Sequence, residues 1–550
     1  MKQVKKELAE KLSEKLDVEV DLNDIERPEP EHGDFAYPVM KAASELGENP
    51  RKLAEETAGK FEDDDTIQKV DVAGPGYVNF HLDNVNFAEK VFEAFEGDRF
   101  GIEGRDGKVL VEFSQPNMAK PMHVGHFRNN ALGDSLQRIM RFVGYDVTSE
   151  NYIGDWGTQY GKLIYAFKKF GSEEEFQENP MEHMYSLYVK FHKELEEDEE
   201  IEEKGREWAA KIEEGNEEAV ELWEKFREAS MNYHKRDYER MGIDFDRVTG
   251  ESKMVEGTKK LLEEGLERGI IEEDEDGSLY IEFDELPDVI LQKDDGTTLY
   301  LSRDLENLRK RIHDEGFDYN LYVVASPQDL HFEQAFKAAE KLGYDTSGCE
   351  HISYGLLSLP EGSMSSREGR IVGIEDALDE AEERAREKAA ENMEREVGNA
   401  EAIGIGALKY ANLSVSRSKD IEFSWDRALS FEGNSGPYLQ YSNTRAKSIL
   451  READKKGELL GKFEEEEYQL LKKLSEFPEK VERAADDREP AKIANYISEL
   501  CEEFNSFYHS CKVLGDNEKT EKRRLRLVEV FVDVSDQGLE LLGIEPLKEM

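Results

Sequence analysis

Lys120, His123 and His126, spaced Lys-x-x-His-x-x-His, are the residues of this chain most suited to chemistry on an anion. They lie within Val111-Glu112-Phe113-Ser114-Gln115-Pro116-Asn117-Met118-Ala119-Lys120-Pro121-Met122-His123-Val124-Gly125-His126. Two imidazoles can donate to charged oxygens. Gly125 lets a large ligand come close, and the free N–H groups of a helix start attract anions. The chemistry read from these residues is phosphate binding. A bare H-x-x-H is also half of a zinc site, or a pair with no function at all. Zinc asks for three or four suitable ligands, and no Cys lies near, so no metal site is expected.

The elements that must position this stretch are legible around it. Lys108 to Phe113 reads as a buried strand, and Pro116 and Pro121 stiffen the loop after it. Val124, Phe127, Ala131, Leu132, Leu136, Ile139, Met140 and Val143 then share one helical face. A turn at Gly144 leads into a second strand, Asp146 to Asn151. The unit is β-α-β, the opening of a parallel sheet. Such sheets bind ligands beyond the carboxyl ends of their strands, where His123 and His126 sit in the first turn of the helix.

The block Pro116 to His126, with His123-Val124-Gly125-His126 at its end, resembles the HIGH signature of class I aminoacyl-tRNA synthetases in the version found in arginyl-tRNA synthetases. Further blocks follow in family order and carry the resemblance across nearly the whole chain. It implies an α/β fold: a Rossmann-like parallel-sheet catalytic domain, an N-terminal α/β domain and a C-terminal all-α anticodon-binding bundle. The boundaries expected are 1–105, 106–398 with a helical insertion at about 171–286, and 399–550. The resemblance also implies ATP contacts from Pro116, Asn117, Lys120, His123, Gly125 and His126.

Asn151-Tyr152-Ile153-Gly154-Asp155-Trp156-Gly157-Thr158-Gln159 is similar to the family's G-D-W-G-T-Q block. Trp156 and Gln159 are read either as ligand contacts or as support. The sheet is expected to resume with Val289 to Lys293 and Thr298 to Asp304, followed by a buried strand, Leu321 to Ala325. Two of these resemble the family's Y-x-x-R-D block and, through Ser326 to Phe332, its Q-D-L-H-F block. An arginine substrate is always charged and presents five donors in a planar fork, so its pocket needs carboxylates and a further acceptor. Glu112, Tyr300 and Asp304 match the positions that hold the guanidinium in the family. Asn117, His123 and Gln328 match groups near the substrate's amino and carboxyl ends. The alternative for Asp304 is an ion pair with Arg303 or a helix cap. Ser114-Gln115-Pro116 departs from the usual Ser-Ser-Pro.

Gly355 to Arg370 occupies the place of the second class I signature, K-M-S-K-S, where Met364, Ser365, Ser366 and Arg367 are implied ATP contacts. Both lysines are absent: Ser363 and Ser366 stand in their positions. Activation builds negative charge on departing pyrophosphate, which calls for cations. Lys120, three residues before His123, is expected to supply one, with Arg367 or Arg370 closing from the loop. His123, His126 and Lys120 are thus the catalytic candidates.

The ends read as tRNA-binding domains by resemblance. In the first, an amphipathic helix (Val4, Leu8, Leu12, Leu16), a helix from Pro50 to Phe61 and a strand pair, Ile67 to Val72 and Gly76 to Leu82, surround His32-Gly33-Asp34. Asn79 and Phe80 are candidate tRNA contacts, with Tyr77 and Phe80 equally readable as core. In the last, Tyr438 and Tyr441 lie three apart and share a face for stacking bases or for packing, and Met550 is placed near the anticodon loop.

The chain has 550 residues, a net charge of −52, 38% hydrophobic and 36% charged residues, and three Cys. No apolar run is long enough to span a bilayer, and Met1 to Glu7 lacks a signal-peptide core. The thiols are read as reduced and packed, the protein as cytoplasmic and monomeric. So large an acidic excess opposes nucleic-acid binding unless salt screens it. Adaptation to a salt-rich cytoplasm is preferred over plain solvated helix faces. The reading is an arginine–tRNA ligase whose partners are L-arginine, tRNA(Arg) and ATP with Mg2+ as substrate. Its rivals are another class I synthetase, a synthetase-derived regulatory protein, and a small-molecule nucleotidyltransferase.

Overall fold

The computed structural model describes residues 2–28, 32–61, 64, 66–195, 200–358, 373–393, 398–515 and 517–550. Met364, Ser365, Ser366 and Arg367, with Ser363 and Arg370, lie outside them.

At the centre is a five-stranded sheet in the order Cys349–Tyr354, Tyr319–Ala325, Lys108–Glu112, Asp146–Ile153, Arg247–Gly250. Every pairing in it is parallel. The first strand in the sequence lies in the middle, flanked by the second on one side and a much later one on the other. That reversal of strand order opens a crevice at the carboxyl ends, where α/β sheets take their ligands. The helix Val124–Phe142 follows the central strand and buries Val124, Phe127, Ala131, Leu132, Leu136, Ile139 and Met140. Gly133 on this helix is obligatory: a Cβ there would lie 2.1 Å from the Phe113 ring.

Two expectations about the sheet need correction. Thr298 to Asp304 is not a strand; Tyr300–Arg309 is a helix. Leu301, Leu305 and Leu308 recur at helical spacing and are buried in one cluster with Leu261, Leu262 and Leu291, so the period is nearer 3.6 than 2. Val289–Gln292 is a strand, but it pairs antiparallel with Leu279–Ile281 in a separate small sheet. The fifth strand of the main sheet is instead Arg247–Gly250, inside the stretch read as a helical insertion. Only four residues long, it is charged and polar at its start and leaves little periodicity to detect. The helices expected before it are present, from Glu173–Glu178 to Glu217–Met241.

The N-terminal region forms a three-stranded sheet, Phe35–Pro38, Tyr77–Leu82, Ile67–Ala73, covered by Lys2–Leu16 and Pro50–Gly59. Phe80 is fully buried and meets Phe61 edge to face with centroids 5.1 Å apart, and Asn79 is also buried. Phe80 therefore offers no ring for RNA to stack on, and Asn79 no exposed amide. Both tRNA assignments are overturned by burial. From Ala400–Leu413 onward the chain is almost wholly helical, ending with Glu518–Leu541. Tyr438 is half-buried, with its hydroxyl accepting from Asn505 Nδ2 at 3.0 Å. Tyr441 is half-buried with the Arg445 guanidinium 4.7 Å from its ring centroid. Both pack on the bundle core, and Met550 is buried there as well. The two end regions touch each other: Arg27 pairs with Glu476 at 2.7 Å and Glu479 at 3.2 Å. Cys349, Cys501 and Cys511 are free thiols.

Candidate active site

Beyond the central strand the chain turns through three non-glycine residues of positive φ: Ser114 (78°), Gln115 (47°) and Ala119 (61°). Such residues are uncommon and persist where the surroundings hold them. Gly154 N donates to Pro116 O at 3.2 Å, which stitches the loop to the end of the neighbouring strand. A Cβ on Gly154 would come within 2.8 Å of Asn117 Oδ1, so only glycine lets the Asn117 side chain lie there.

His123 is the N-cap of the Val124–Phe142 helix, one step earlier than the first turn expected for it. Its Nδ1 accepts from Gly125 N at 3.1 Å, and His126 Nδ1 accepts from His123 N at 3.1 Å. With Nδ1 an acceptor in both rings, each neutral imidazole carries its proton on Nε2. Burial lowers the His123 pKa, and burial together with His123 and His234 pushes His126 down to about 3. Both rings are therefore neutral near pH 7. Two Nε2–H donors, with ring centroids 4.1 Å apart, stand at a helix N-terminus. That is an anion site without a resident counter-charge.

A cavity of about 300 Å³ adjoins it, lined in part by Glu112, Asn117, His126, Tyr300, Asp304 and Gln328. Five of the six residues expected around the amino acid are thus brought together. His123 is not among the lining residues; His126 takes that place. Glu112 reaches the cavity already paired. It is buried, Oε2 lies 2.5 Å from Arg311 Nη2, and Oε1 accepts from Gln115 Nε2 at 2.9 Å. Gln115, the departure from the family pattern, thus tethers this carboxylate. Arg311 is itself wholly buried, 3.0 Å from Glu150 Oε2 and facing the Tyr152 and Tyr322 rings. Burial pushes the Glu112 carboxyl up while Arg311 pulls it down.

Asp304 is half-buried. Its partner is neither Arg303 nor a helix end but His331, whose Nε2 lies 2.8 Å from Oδ2. Burial would lower the His331 pKa, yet the carboxylate overrides it and the pKa is raised. Arg303 goes instead to Glu251, 2.8 Å away. Burial, opposed by Arg303 and reinforced by Asp304, pushes Glu251 up to about 7. Tyr300 stands at the mouth with 59% of its surface exposed. The cavity therefore gathers three carboxylates, a chemistry matched to a cation. Sequence reasoning missed Glu251, which follows the strand hidden in the acidic insertion, and gave no role to His331 although its block was quoted.

Comparisons with known proteins agree with this geometry. A family profile described as "tRNA synthetases class I (R), catalytic domain" matches residues 96–425. "Arginyl tRNA synthetase N terminal domain" matches 2–82, and "DALR anticodon binding domain" matches 439–550. The chain is 38% identical to an arginine–tRNA ligase of Halothermothrix orenii, over 99% of each protein. It is also 38% identical to one of Clostridium perfringens, over 99% of this chain and all of that one. The chain belongs to the arginyl-tRNA synthetase family. The solved structure of the Thermus thermophilus arginyl-tRNA synthetase superposes with a TM-score of 0.82 at 26% identity, covering 99% of this chain and 100% of that one.

In this synthetase the described residues on either side of 359–372 are each held by backbone pairing. Leu357–Ser358 pairs in parallel with Ile421–Glu422. After the loop, Ile374 N donates to Met122 O at 3.0 Å and Gly373 bridges His123. The following flank therefore anchors beside the first signature. Lys120 is half-buried, its Nζ 3.2 Å from Tyr188 Oη and 4.3 Å from that ring's centroid. Tyr188 belongs to Pro180–Leu195, so the insertion holds the lysine. In the Gly-Asp-Trp block, Asp155 is wholly buried and accepts from Arg227 Nε, Ser252 N and Ser252 Oγ. Trp156 packs edge-on against Trp223, and Gln159 Nε2 donates to Gly154 O at 3.4 Å. These contacts tie the block to the Gly154 turn, to Arg227 and to Ser252.

Proposed function

We infer that this synthetase is an arginine–tRNA ligase: it joins L-arginine to ATP, releases pyrophosphate, and passes the arginyl group to the terminal adenosine of tRNA(Arg). The activity follows from membership of the family; the roles below are our reading of the residues. A carboxylate oxygen of arginine attacks the α-phosphorus of ATP, which enters as its Mg2+ complex. The bond from that phosphorus to the α–β bridging oxygen breaks, and arginyl-adenylate forms. A ribose hydroxyl of the tRNA, the 2′-OH by class I kinship, then attacks the acyl carbon. AMP leaves, and the hydroxyl proton is lost.

Asp304 and Glu112 supply negative charge for the guanidinium and Tyr300 a hydroxyl, with Glu251 as a third carboxylate. Asn117 and Gln328 orient the amino and carboxyl end. His123 and His126 donate Nε2–H to the triphosphate as charge moves outward, the helix N-terminus adds its field, and Lys120 swings from Tyr188 towards the leaving pyrophosphate. Pro116 and Gly125 shape the loop that admits the nucleotide. The resemblance assigns Met364, Ser365, Ser366 and Arg367 to the nucleotide as well, with Ser366 standing where one of the two signature lysines is absent. The observation that carries this reading is the pair of neutral imidazoles at a helix start beside a carboxylate-lined cavity.

We assign residues 1–105 to the corner of the tRNA, 106–398 to catalysis and 399–550 to the anticodon. The protein works as a cytoplasmic monomer in high salt. No described helix is long and apolar enough to cross a membrane. The test is pyrophosphate exchange with each amino acid, with and without tRNA. Arginine alone should support it, and only with tRNA present; exchange driven by cysteine or leucine would refute the assignment.

A further inference from the structure

The short turn Ser326–Gln328 ends the strand Tyr319–Ala325, and the helix Asp329–Lys341 starts there with His331 in its first turn. His331 lines the amino-acid cavity and reaches the helix Tyr300–Arg309, where its Nε2 lies 2.8 Å from Asp304 Oδ2. Both side chains stay partly open, 25% for His331 and 31% for Asp304, so a ligand in the cavity can meet the pair. An imidazole on a carboxylate is a small copy of the contact that a guanidinium makes there: an N–H donor on the same oxygens.

Other charged groups around the cavity have partners of their own. Arg303, the chain neighbour of Asp304, donates to Glu251 and to Thr298 O, and Glu112 is paired with Arg311. The second imidazole nearby, His351, stacks on Phe332 with centroids 4.4 Å apart, and its Nε2 lies 3.0 Å from Val324 O. Burial lowers its pKa, so it stays neutral. Asp329, 3.4 Å from the other nitrogen of His351, accepts from Ser353 Oγ at 2.7 Å. Burial pushes the cavity tyrosines Tyr152, Tyr300 and Tyr322 upward, and they stay protonated. His331 differs from all of these: burial would lower its pKa, but the bond to Asp304 raises it. Glu251, pushed up to about 7 by burial against the pull of Arg303, also titrates near neutrality.

We propose that His331 is a positioning residue for arginine: as a neutral imidazole it holds Asp304 by one oxygen and leaves the carboxylate's charge to the guanidinium, and as an imidazolium it takes that charge for itself. Two cations sharing one carboxylate repel each other. Arginine therefore binds best when His331 has lost a proton. Nε2–H stays on Asp304, so the proton lost is the one on Nδ1. The inference rests on Asp304 being a carboxylate that receives the guanidinium.

The test compares wild type with His331→Gln, whose amide can donate to Asp304 but cannot take a proton, and with His331→Phe, which keeps a ring and loses the donor. Pyrophosphate exchange is measured with tRNA present, varying arginine and ATP separately, from about pH 6 to about pH 8.5. At about pH 6 the KM of His331→Gln for arginine should lie about three- to tenfold below that of wild type, and the two should converge by about pH 8.5. A residue that only supports the fold would not improve affinity when replaced. His331→Phe should raise the arginine KM about three- to tenfold at about pH 8.5, with the KM for ATP within about twofold, because Asp304 has lost its hold. The pH slope that persists in the Gln variant belongs to Glu251. Parallel arginine profiles for wild type and the Gln variant, a Gln variant weaker than wild type in acid, or a Phe variant equal to wild type in alkali would each overturn the proposal. Asp304→Asn serves as the control: if its arginine KM stayed at the wild-type value, the guanidinium assignment itself would fail, whatever the His331 variants do.

Discussion

Replacing Arg311 by Met would remove the cation on which the floor of the amino-acid cavity depends. Arg311 has no exposed surface and stands between two buried carboxylates, Glu112 and Glu150. Glu150 would keep Arg247 at 2.6 Å and a hydrogen bond from Thr249. Glu112 would keep the Gln115 amide, so the loss falls on it. Breaking a buried pair by truncating one partner costs about 3–5 kcal/mol, and a stranded carboxyl limits that cost by taking a proton. Burial already pushes Glu112 up and Arg311 is the group opposing it, so the variant's carboxyl rises further. Two opposite pH trends follow. A carboxyl raised in the folded state favours folding below the unfolded glutamate value, so the variant's stability should fall as pH rises through the folded pKa. Arginine needs the ionised form, so its KM should be elevated about tenfold or more near pH 6 and improve towards pH 9. Melting curves and pyrophosphate exchange across that range measure both. The double variant Glu112→Gln/Arg311→Met should be more stable than Arg311→Met alone, because the stranded charge is gone. Strictly additive losses, or an Arg311→Met enzyme with unchanged melting temperature and arginine KM, would refute the reasoning.

Other outcomes are expected of the same structure. His126→Asn should slow activation by about 10²–10³-fold, the usual loss for one donor to developing charge, read by single-turnover adenylate formation. Lys120→Ala should slow the same step about tenfold or more; a rate within a few-fold of wild type would leave the missing loop lysines uncompensated by this residue. Phe80→Ala should destabilise the N-terminal region by about 3–5 kcal/mol yet leave the tRNA KM of folded enzyme unchanged, because its ring is core and not contact surface. With a net charge of −52, activity and stability should both climb with KCl into the molar range, where at about 1 M the Debye length is roughly 3 Å. Full aminoacylation at low salt with loss at about 2 M would reject salt adaptation.

Local signals were enough for the centre of this protein. The strand into Glu112, the loop stiffened by Pro116 and Pro121, and the apolar stripe from Val124 to Val143 fixed a β-α-β unit with His123 and His126 at its crevice, because period and turn chemistry are properties of neighbouring residues. Of the three acids lining the amino-acid cavity, Glu112 and Asp304 were reached through the resemblance, and Glu251 was not. What the sequence could not reveal was who pairs with whom. Phe80 reads equally as core or platform until Phe61 is seen against it. Glu112 reads as a clamp until Arg311 arrives from nearly two hundred residues away, and Asp304 as a partner of its neighbour Arg303 until His331 takes it. Arg247–Gly250 is too short and polar to announce a core strand, and joins the sheet only because Asp146–Ile153 offers an edge. Burial and charge pairing are set by the meeting of distant segments, and only the tertiary structure decides them.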